Sequence, residues 1–276
     1  MPELPEVETT RRGIATVMPG QTLEHFIVHN HKLRWPIPDN LPETLRNQVV
    51  RRCERRGKYL LIEFNHGTQL IHLGMSGSLR RVPMNEERRK HDHAEWIFKE
   101  ARFLYHDPRR FGAILWHDAT DGPVETHPLL VKLGIEPFNE AFNGAHLHAQ
   151  LRKRSQAIKQ VVLSGEAVVG VGNIYASEAL FKARIHPMQP ANSLTQEQCD
   201  KLAQAIKTTL AQAIDSGGST LRDYVNSTGE PGAYFTLHAA MYERAGLPCP
   251  TCQTPITRIV QGQRATYYCA TCQIMG

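Results

Sequence analysis

Pro2, Glu3 and Glu6 stand in the run Met-Pro-Glu-Leu-Pro-Glu at the start of the chain. An initiator methionine is trimmed when the next residue is small, which would make Pro2 the mature N-terminus. Its secondary amine then has a pKa of about 8 and is a usable nucleophile at neutral pH. Attack on a sugar C1′ carbon gives a covalent iminium, and a carboxylate one residue away can serve the accompanying proton transfers. The same residues also suit a plain helix start, with proline in the first turn and acids near the positive end of the dipole.

A second cluster lies at the other end of the chain. Cys249, Cys252, Cys269 and Cys272 form two Cys-x-x-Cys pairs, the spacing of a tetrahedral zinc site in which each pair makes a tight knuckle around the ion. Four protein thiolates leave no position for water, so the ion is structural. Redox pairs or disulfides are the competing reading, which a cytosolic chain rarely keeps. Between the pairs, Ile256 to Val260, a turn at Gln261-Gly262 and Ala265 to Tyr268 read as a β-hairpin with Arg264 at its tip. Cys53 and Cys199 stand alone and match no functional pattern.

The elements that position these groups fall into three parts. Leu4 to Ile14 reads as a helix with Leu4, Val7, Arg11 and Ile14 on one face. From Thr22 to His117, seven short segments rich in alternating, aromatic or β-branched residues are separated by turn signals, the pattern of an antiparallel sandwich or barrel. Residues 118–150, with several glycines and prolines, read as a connector. The period then becomes helical at Gln156 to Leu163, Ile174 to Ala183 and Thr195 to Ile214, followed by a glycine-rich stretch from Ser216 to Ala233.

A chain of 276 residues, 41% hydrophobic and 21% charged, suits one large or two to three small folded domains. Its longest apolar runs fall short of the ~20 residues that a membrane span needs, and no signal-peptide pattern opens it, so neither export nor insertion is expected. Lys and Arg outnumber Asp and Glu by 32 to 27. The excess gathers at Arg51, Arg52, Arg55, Arg56 and Lys58, and again at Arg152, Lys153, Arg154 and Lys159, patches that suit a polyanion or simply a solvated face.

The motifs MPELPEVETTRRG, KYLLIEF, HLGMSGSLR, HDH, DPRRFG, AIK, VVGVGNIYASEALF, GGSTLRDY and QRATYYCATCQ stand in one order along the whole chain. Together they resemble the formamidopyrimidine-DNA glycosylase family, bacterial base-excision enzymes for oxidised purines. The resemblance implies an α+β, multidomain fold. An N-terminal helix and antiparallel β-sandwich would occupy 1–132, a connector 133–150, a helix-two-turn-helix module with a lesion-recognition loop 151–235, and a four-cysteine zinc finger β-hairpin 239–273.

It also implies roles. Pro2 is the Schiff-base nucleophile, Glu3 the acid that protonates the deoxyribose ring oxygen, and Glu6 a group that positions the reacting sugar. Lys58 matches a lysine described as a proton donor in β-elimination, and Arg264 an arginine that enters the minor groove and assists δ-elimination. Met75, Arg109 and Phe111 match the trio that fills the hole left by an everted lesion: an apolar wedge, a guanidinium for the orphaned cytosine and an aromatic face. On their own, Met75 and Phe111 read as core residues. Asn173, Lys159 and Arg154 match grips on the DNA backbone, Asn173 beside a helix N-terminus suited to phosphate, and His91 is a further DNA contact. The stretch Ser216 to Ala233 would close over an oxidised purine and be mobile without DNA.

The expected protein is thus a monomeric glycosylase and AP lyase of the bacterial cytosol and nucleoid. Its partner is duplex DNA carrying oxidised purines or abasic sites, and its only cofactor one structural Zn2+. An endonuclease VIII-like enzyme for oxidised pyrimidines is the near alternative, disfavoured by Leu4, Val7 and DPRRFG. A non-enzymatic zinc-finger DNA-binding protein is the distant one, and it would have no use for a processed proline beside two glutamates.

The mature protein is expected to begin at Pro2, because an amide at that nitrogen abolishes its nucleophilicity. Intact-mass measurement checks this; Met1 retained on fully active enzyme would remove the Schiff-base assignment.

Overall fold

The structure is a computed structural model that describes residues 2–219 and 225–275. The latter part of GGSTLRDY therefore lies outside the described residues. The chain folds as two compact units, Met1–Val131 with Ile214–Phe235, and Lys132–Ala213 with Thr236–Gly276. The segment 214–235, grouped on sequence with the helical module, belongs to the first unit. Its backbone explains why: Ser227 O accepts from Arg81 N–H and Ser219 N–H donates to Glu6 Oε1.

The first unit opens with α1 (Leu4–Ala15), whose Leu4, Val7 and Ile14 are buried. Eight strands follow, with α2 (Leu41–Leu45) between the first two: β1 (Leu23–Val28), β2 (Val50–Arg56), β3 (Tyr59–Phe64), β4 (Gly67–His72), β5 (Ser78–Val82), β6 (Asp92–Phe98), β7 (Arg102–His106) and β8 (Ala113–Asp118). They form two antiparallel sheets in the orders β1-β6-β7-β5 and β2-β3-β4-β8. Their core joins Phe26, Trp96 and Phe103 of one sheet to Leu60, Ile62, Ile71 and Ile114 of the other, with Val7 and Ile14 of α1. Trp96 Nε1 donates to Gln69 Oε1 at 2.9 Å, linking the sheets by the one polar atom of a fully buried indole.

β5 was not expected, because Arg80 and Arg81 interrupt its apolar alternation. Arg80 is nevertheless buried, its guanidinium against Glu86 at 3.5 Å and Asp92 at 3.6 Å.

The second unit contains α3 (Gly144–Leu151), α4 (Ile158–Ser164), α5 (Asn173–Lys182), most of α6 (Gln196–Asp215) and a hairpin of β9 (Thr257–Gln261) and β10 (Arg264–Tyr268). α3 lies within the expected connector: Asn143 caps it by accepting from His146 N–H, and Leu147 and Leu151 are buried. The hairpin turn is Gly262-Gln263, one residue later than expected, with both residues at positive φ (55° and 61°). Among the described residues no helix is long and apolar enough to cross a membrane.

Glu8 fastens α1 to the second sheet. It accepts from Arg11 and Arg12 of its own helix, and from Arg55 of β2 at 3.1 Å. Burial raises its carboxyl pKa, but the bonds and charges of these arginines outweigh that and hold it below the usual value of 4.5. A depressed pKa contributes stability above the unfolded value, lost as pH falls through the folded one. Glu8→Gln is therefore expected to cost about 1 kcal/mol at neutral pH, after allowing for solvent screening, and to lower Tm by about 2–4 °C. Thermal melts should show that gap closing on acidification below the ordinary carboxylate pKa.

Candidate active site and metal centre

Pro2 and Glu3 are buried at the head of α1, with Glu3 as N-cap. Glu6, three residues on, is 1% exposed and accepts from Glu3 N–H at 2.7 Å and from Ser219 N–H at 2.6 Å. The first bond fixes the Pro2–Glu3 peptide and the second ties it to the glycine-rich stretch. Gly218 makes this approach feasible: its φ is +86°, and a Cβ there would stand 2.9 Å from Glu6 Oε1. Glu6 thus holds the residues on which the chemistry would depend.

Lys58 sits in the two-residue turn between β2 and β3, where Gly57 has φ 57°. Arg55, paired with Glu8, also donates to Gly57 O at 2.9 Å, so one guanidinium joins α1 to the Lys58 turn. His72, opposite Tyr59 on β4, is a residue that sequence reasoning assigned no role. Burial, then the charges of Lys58 and Arg34, push its pKa down to about 4. It is neutral at physiological pH, and its Nδ1 accepts from Gly74 N–H at 3.0 Å, setting the start of the Met75 loop.

Met75 and Phe111 are exposed, at 40% and 43%, which excludes the core reading for both. Arg109 Cζ lies 5.1 Å above the Phe111 ring, a cation–π contact that presents the pair together. Their loops touch closely at Gly74, where a Cβ would strike the Phe111 and Gly112 backbone. His91 is half-buried, its ring 6.0 Å from that of His106 and 6.3 Å from that of His93.

Lys159 differs from expectation. Rather than facing solvent, it is fully buried, with Nζ donating to Thr266 Oγ1 at 2.6 Å and Ala265 O at 3.3 Å. An ammonium so enclosed supports β10 and does not offer a phosphate grip in this state. Asn173, at the first turn of α5, donates from Nδ2 to the same Ala265 O at 2.9 Å. Both residues therefore brace the strand whose first residue is the exposed Arg264. Arg154 pairs with Glu166 at 2.7 Å. Glu178, which sequence reasoning missed, is buried and accepts from Ala240, Met241 and Tyr242 N–H, each at 2.9 Å, anchoring the chain that leads to the cysteines.

The Sγ atoms of Cys249, Cys252, Cys269 and Cys272 lie within 4.8 Å of one another, with Cys252–Cys269 at 3.4 Å and Cys249–Cys272 at 3.9 Å. Tetrahedral zinc with Zn–S bonds of about 2.3 Å requires S···S of about 3.8 Å, so the set fits one structural Zn2+. Backbone N–H groups of Thr251 and Cys272 point at Cys249 and Cys269 Sγ, each at 3.4 Å, and orient the ligands.

Three family models match the chain: the formamidopyrimidine-DNA glycosylase N-terminal domain at residues 1–114, the formamidopyrimidine-DNA glycosylase H2TH domain at 133–225, and the zinc finger found in FPG and IleRS at 246–274. A formamidopyrimidine-DNA glycosylase of Bordetella petrii is 62% identical over 273 residues, 99% of each chain. One of Paraburkholderia phytofirmans is 55% identical, covering 99% of this chain and 100% of its own. Among solved structures, the MutM (FPG) protein of Thermus thermophilus superposes with a TM-score of 0.88 at 38% identity, covering all of both chains. Lactococcus lactis Fpg in complex with abasic-site DNA gives 0.90 at 31%, over 99% of each.

Because metal binding is coupled to folding of so small a finger, chelation of zinc should weaken DNA binding and strand cleavage while most of the sandwich remains folded. Circular dichroism with a parallel binding titration checks this; complete loss of structure with the metal would place the finger in a common core.

Proposed function

The chain belongs to the formamidopyrimidine-DNA glycosylase family, and from that membership we propose the roles of its residues in excising 8-oxoguanine and ring-opened formamidopyrimidines from duplex DNA. Relatives that are 62% identical along their whole length carry that family's name, which favours the purine enzyme over an endonuclease VIII-like one. Solved neighbours bound to abasic-site and Fapy-dG DNA support a DNA partner of the same kind. The enzyme works as a monomer in the cytosol, at the nucleoid.

The Pro2 amine attacks C1′ of the damaged nucleotide; the N–C1′ bond forms, the glycosidic bond breaks, and the amine's proton leaves with the departing base. Glu3 gives its proton to the ring oxygen, the ring opens, and the iminium remains on C1′. Removal of a C2′ proton then expels the 3′ oxygen, with Lys58 as proton donor, and a second elimination assisted by Arg264 expels the 5′ oxygen. Glu6 orients the terminus. Met75, Arg109 and Phe111 occupy the vacated space in the duplex, and the stretch from Ser216 to Ala233 selects the oxidised purine. Arg154, Lys159, Asn173 and His91 serve DNA binding, Lys159 and Asn173 by way of the hairpin they brace.

The observation that carries this reading is the buried Glu6 carboxylate holding the Glu3 amide beside Pro2. Borohydride should trap the enzyme covalently on an 8-oxoguanine duplex. Glu3→Gln keeps the shape and removes the proton, so it should bind lesion DNA normally while excision falls by about 10²–10⁴-fold. Comparable turnover by that variant would remove Glu3 from the chemistry.

A further inference from the structure

The mechanism makes no use of Asp107, the first residue of DPRRFG, although it is fully buried. Its carboxylate takes neutral donors. Oδ1 accepts from Ser76 Oγ at 3.1 Å, and Oδ2 from Gly112 N–H at 2.8 Å, with the Tyr105 hydroxyl 3.5 Å away. Ser76 follows Met75 directly, and Gly112 follows Phe111. One side chain therefore clasps the C-terminal neighbours of both apolar residues proposed to enter the duplex.

The backbone of the same residue extends the clasp. Asp107 N–H donates to His91 O at 3.0 Å, Asp107 O accepts from Arg110 N–H at 3.2 Å, and His93 Nε2 lies 2.8 Å from that oxygen. The Tyr105 hydroxyl also reaches His72 O at 3.1 Å. Burial, and then the Asp107 charge, keep that hydroxyl protonated and hence a donor. Burying a carboxylate among neutral donors costs more than burying an apolar residue of its size. Packing alone does not account for it, whereas the need to hold two exposed loops in one register does.

We propose that Asp107 is a positioning residue that joins the Met75 loop to the Arg109–Phe111 loop, so that the wedge and the group facing the orphaned base enter the duplex as one preorganised unit. The inference rests on the void-filling reading of Met75, Arg109 and Phe111. Its energetic content is preorganisation: the ordering cost of two loops is met in the free enzyme, and not when the lesion is everted.

Asp107→Ala should lower single-turnover excision of 8-oxoguanine from duplex DNA by about 10–100-fold, the scale for leaving buried donors without their charged acceptor. Ser76→Ala, which removes one link and carries the test if the first variant fails to fold, should lower it by about three- to tenfold. Asp107→Asn should recover most of the rate, because its amide oxygen can accept from Gly112 N–H while its NH₂ donates to Ser76 Oγ. Borohydride trapping on a single-stranded abasic oligonucleotide, which has no void and no opposite base, should stay within about twofold for every variant.

In a Met75→Ala/Arg109→Ala background, Asp107→Ala should add no further loss. If Asp107→Ala and Ser76→Ala excise normally while Arg109→Ala is impaired, the clasp is refuted and the void-filling reading stands. If Arg109→Ala is itself normal, both fall. Single-strand trapping that declines in parallel with duplex excision would show Asp107 to be a general fold residue and overturn the proposal.

Discussion

Residues beside a chain terminus fray unless they are tied down. The structure meets this constraint with Glu6. Its carboxylate is desolvated, which is costly for an anion, but it receives two short backbone N–H bonds and sits in the first turn of α1, where the helix dipole favours negative charge. Since one donor belongs to Glu3 and the other to Ser219, the terminus and the glycine-rich stretch share a single partner. A change in the position of Ser219 must therefore be felt at Glu3 and Pro2. Coupling between the glycine-rich stretch and the Pro2 end of the chain needs no longer path than this.

The zinc module solves a different problem. Its cluster of Met241, Cys249, Ile256, Tyr267 and Cys269 is too small to fold unaided, so metal–thiolate bonds stand in for a core. The hairpin is steadied from the side by Lys159 and Asn173, which converge on Ala265 O, while Glu178 gathers three N–H groups of the entering chain. Buried charges at Lys159 and Glu178 thus act as scaffolding for an arginine that is itself exposed.

Much of this was legible in the sequence where one feature decides the outcome. The cysteine spacing foretold the thiolate cluster, the period of Leu4 to Ile14 the first helix, and alternating segments seven of the eight sandwich strands. β5 escaped because a buried arginine looks like a surface residue until its acid partners, distant in sequence, are brought beside it. α3 escaped because it begins at Gly144 in a stretch punctuated by proline, with Asn143 as its sole local start signal. Glu178, Asp107 and His72 lay in or beside motifs whose other members drew attention. Glu178 depends on backbone N–H groups of 240–242, Asp107 on Ser76, and His72 on the charges of Lys58 and Arg34, partners distant in sequence that no local pattern reveals.

Charge clusters proved the least transferable signal, for a physical reason. Of the basic residues that suggested a polyanion site, Arg52 pairs with Glu63, Arg55 with Glu8 and Arg154 with Glu166, while Lys159 is enclosed. A paired arginine contributes little net field, and displacing its acid to reach a phosphate forfeits the existing bond. By contrast Arg109, Arg110 and Arg264 are exposed and hold no ion pair among the described residues. Arg110 and the turn residues Gly262 and Gln263 before Arg264 adopt positive φ, as tight turns require. The salt-dependent part of DNA affinity comes from releasing counterions at unneutralised cations. On the proposed function it therefore falls to exposed cations that have no acid partner among the described residues, Arg51, Arg152 and Lys153 of the clusters as well as these loop arginines.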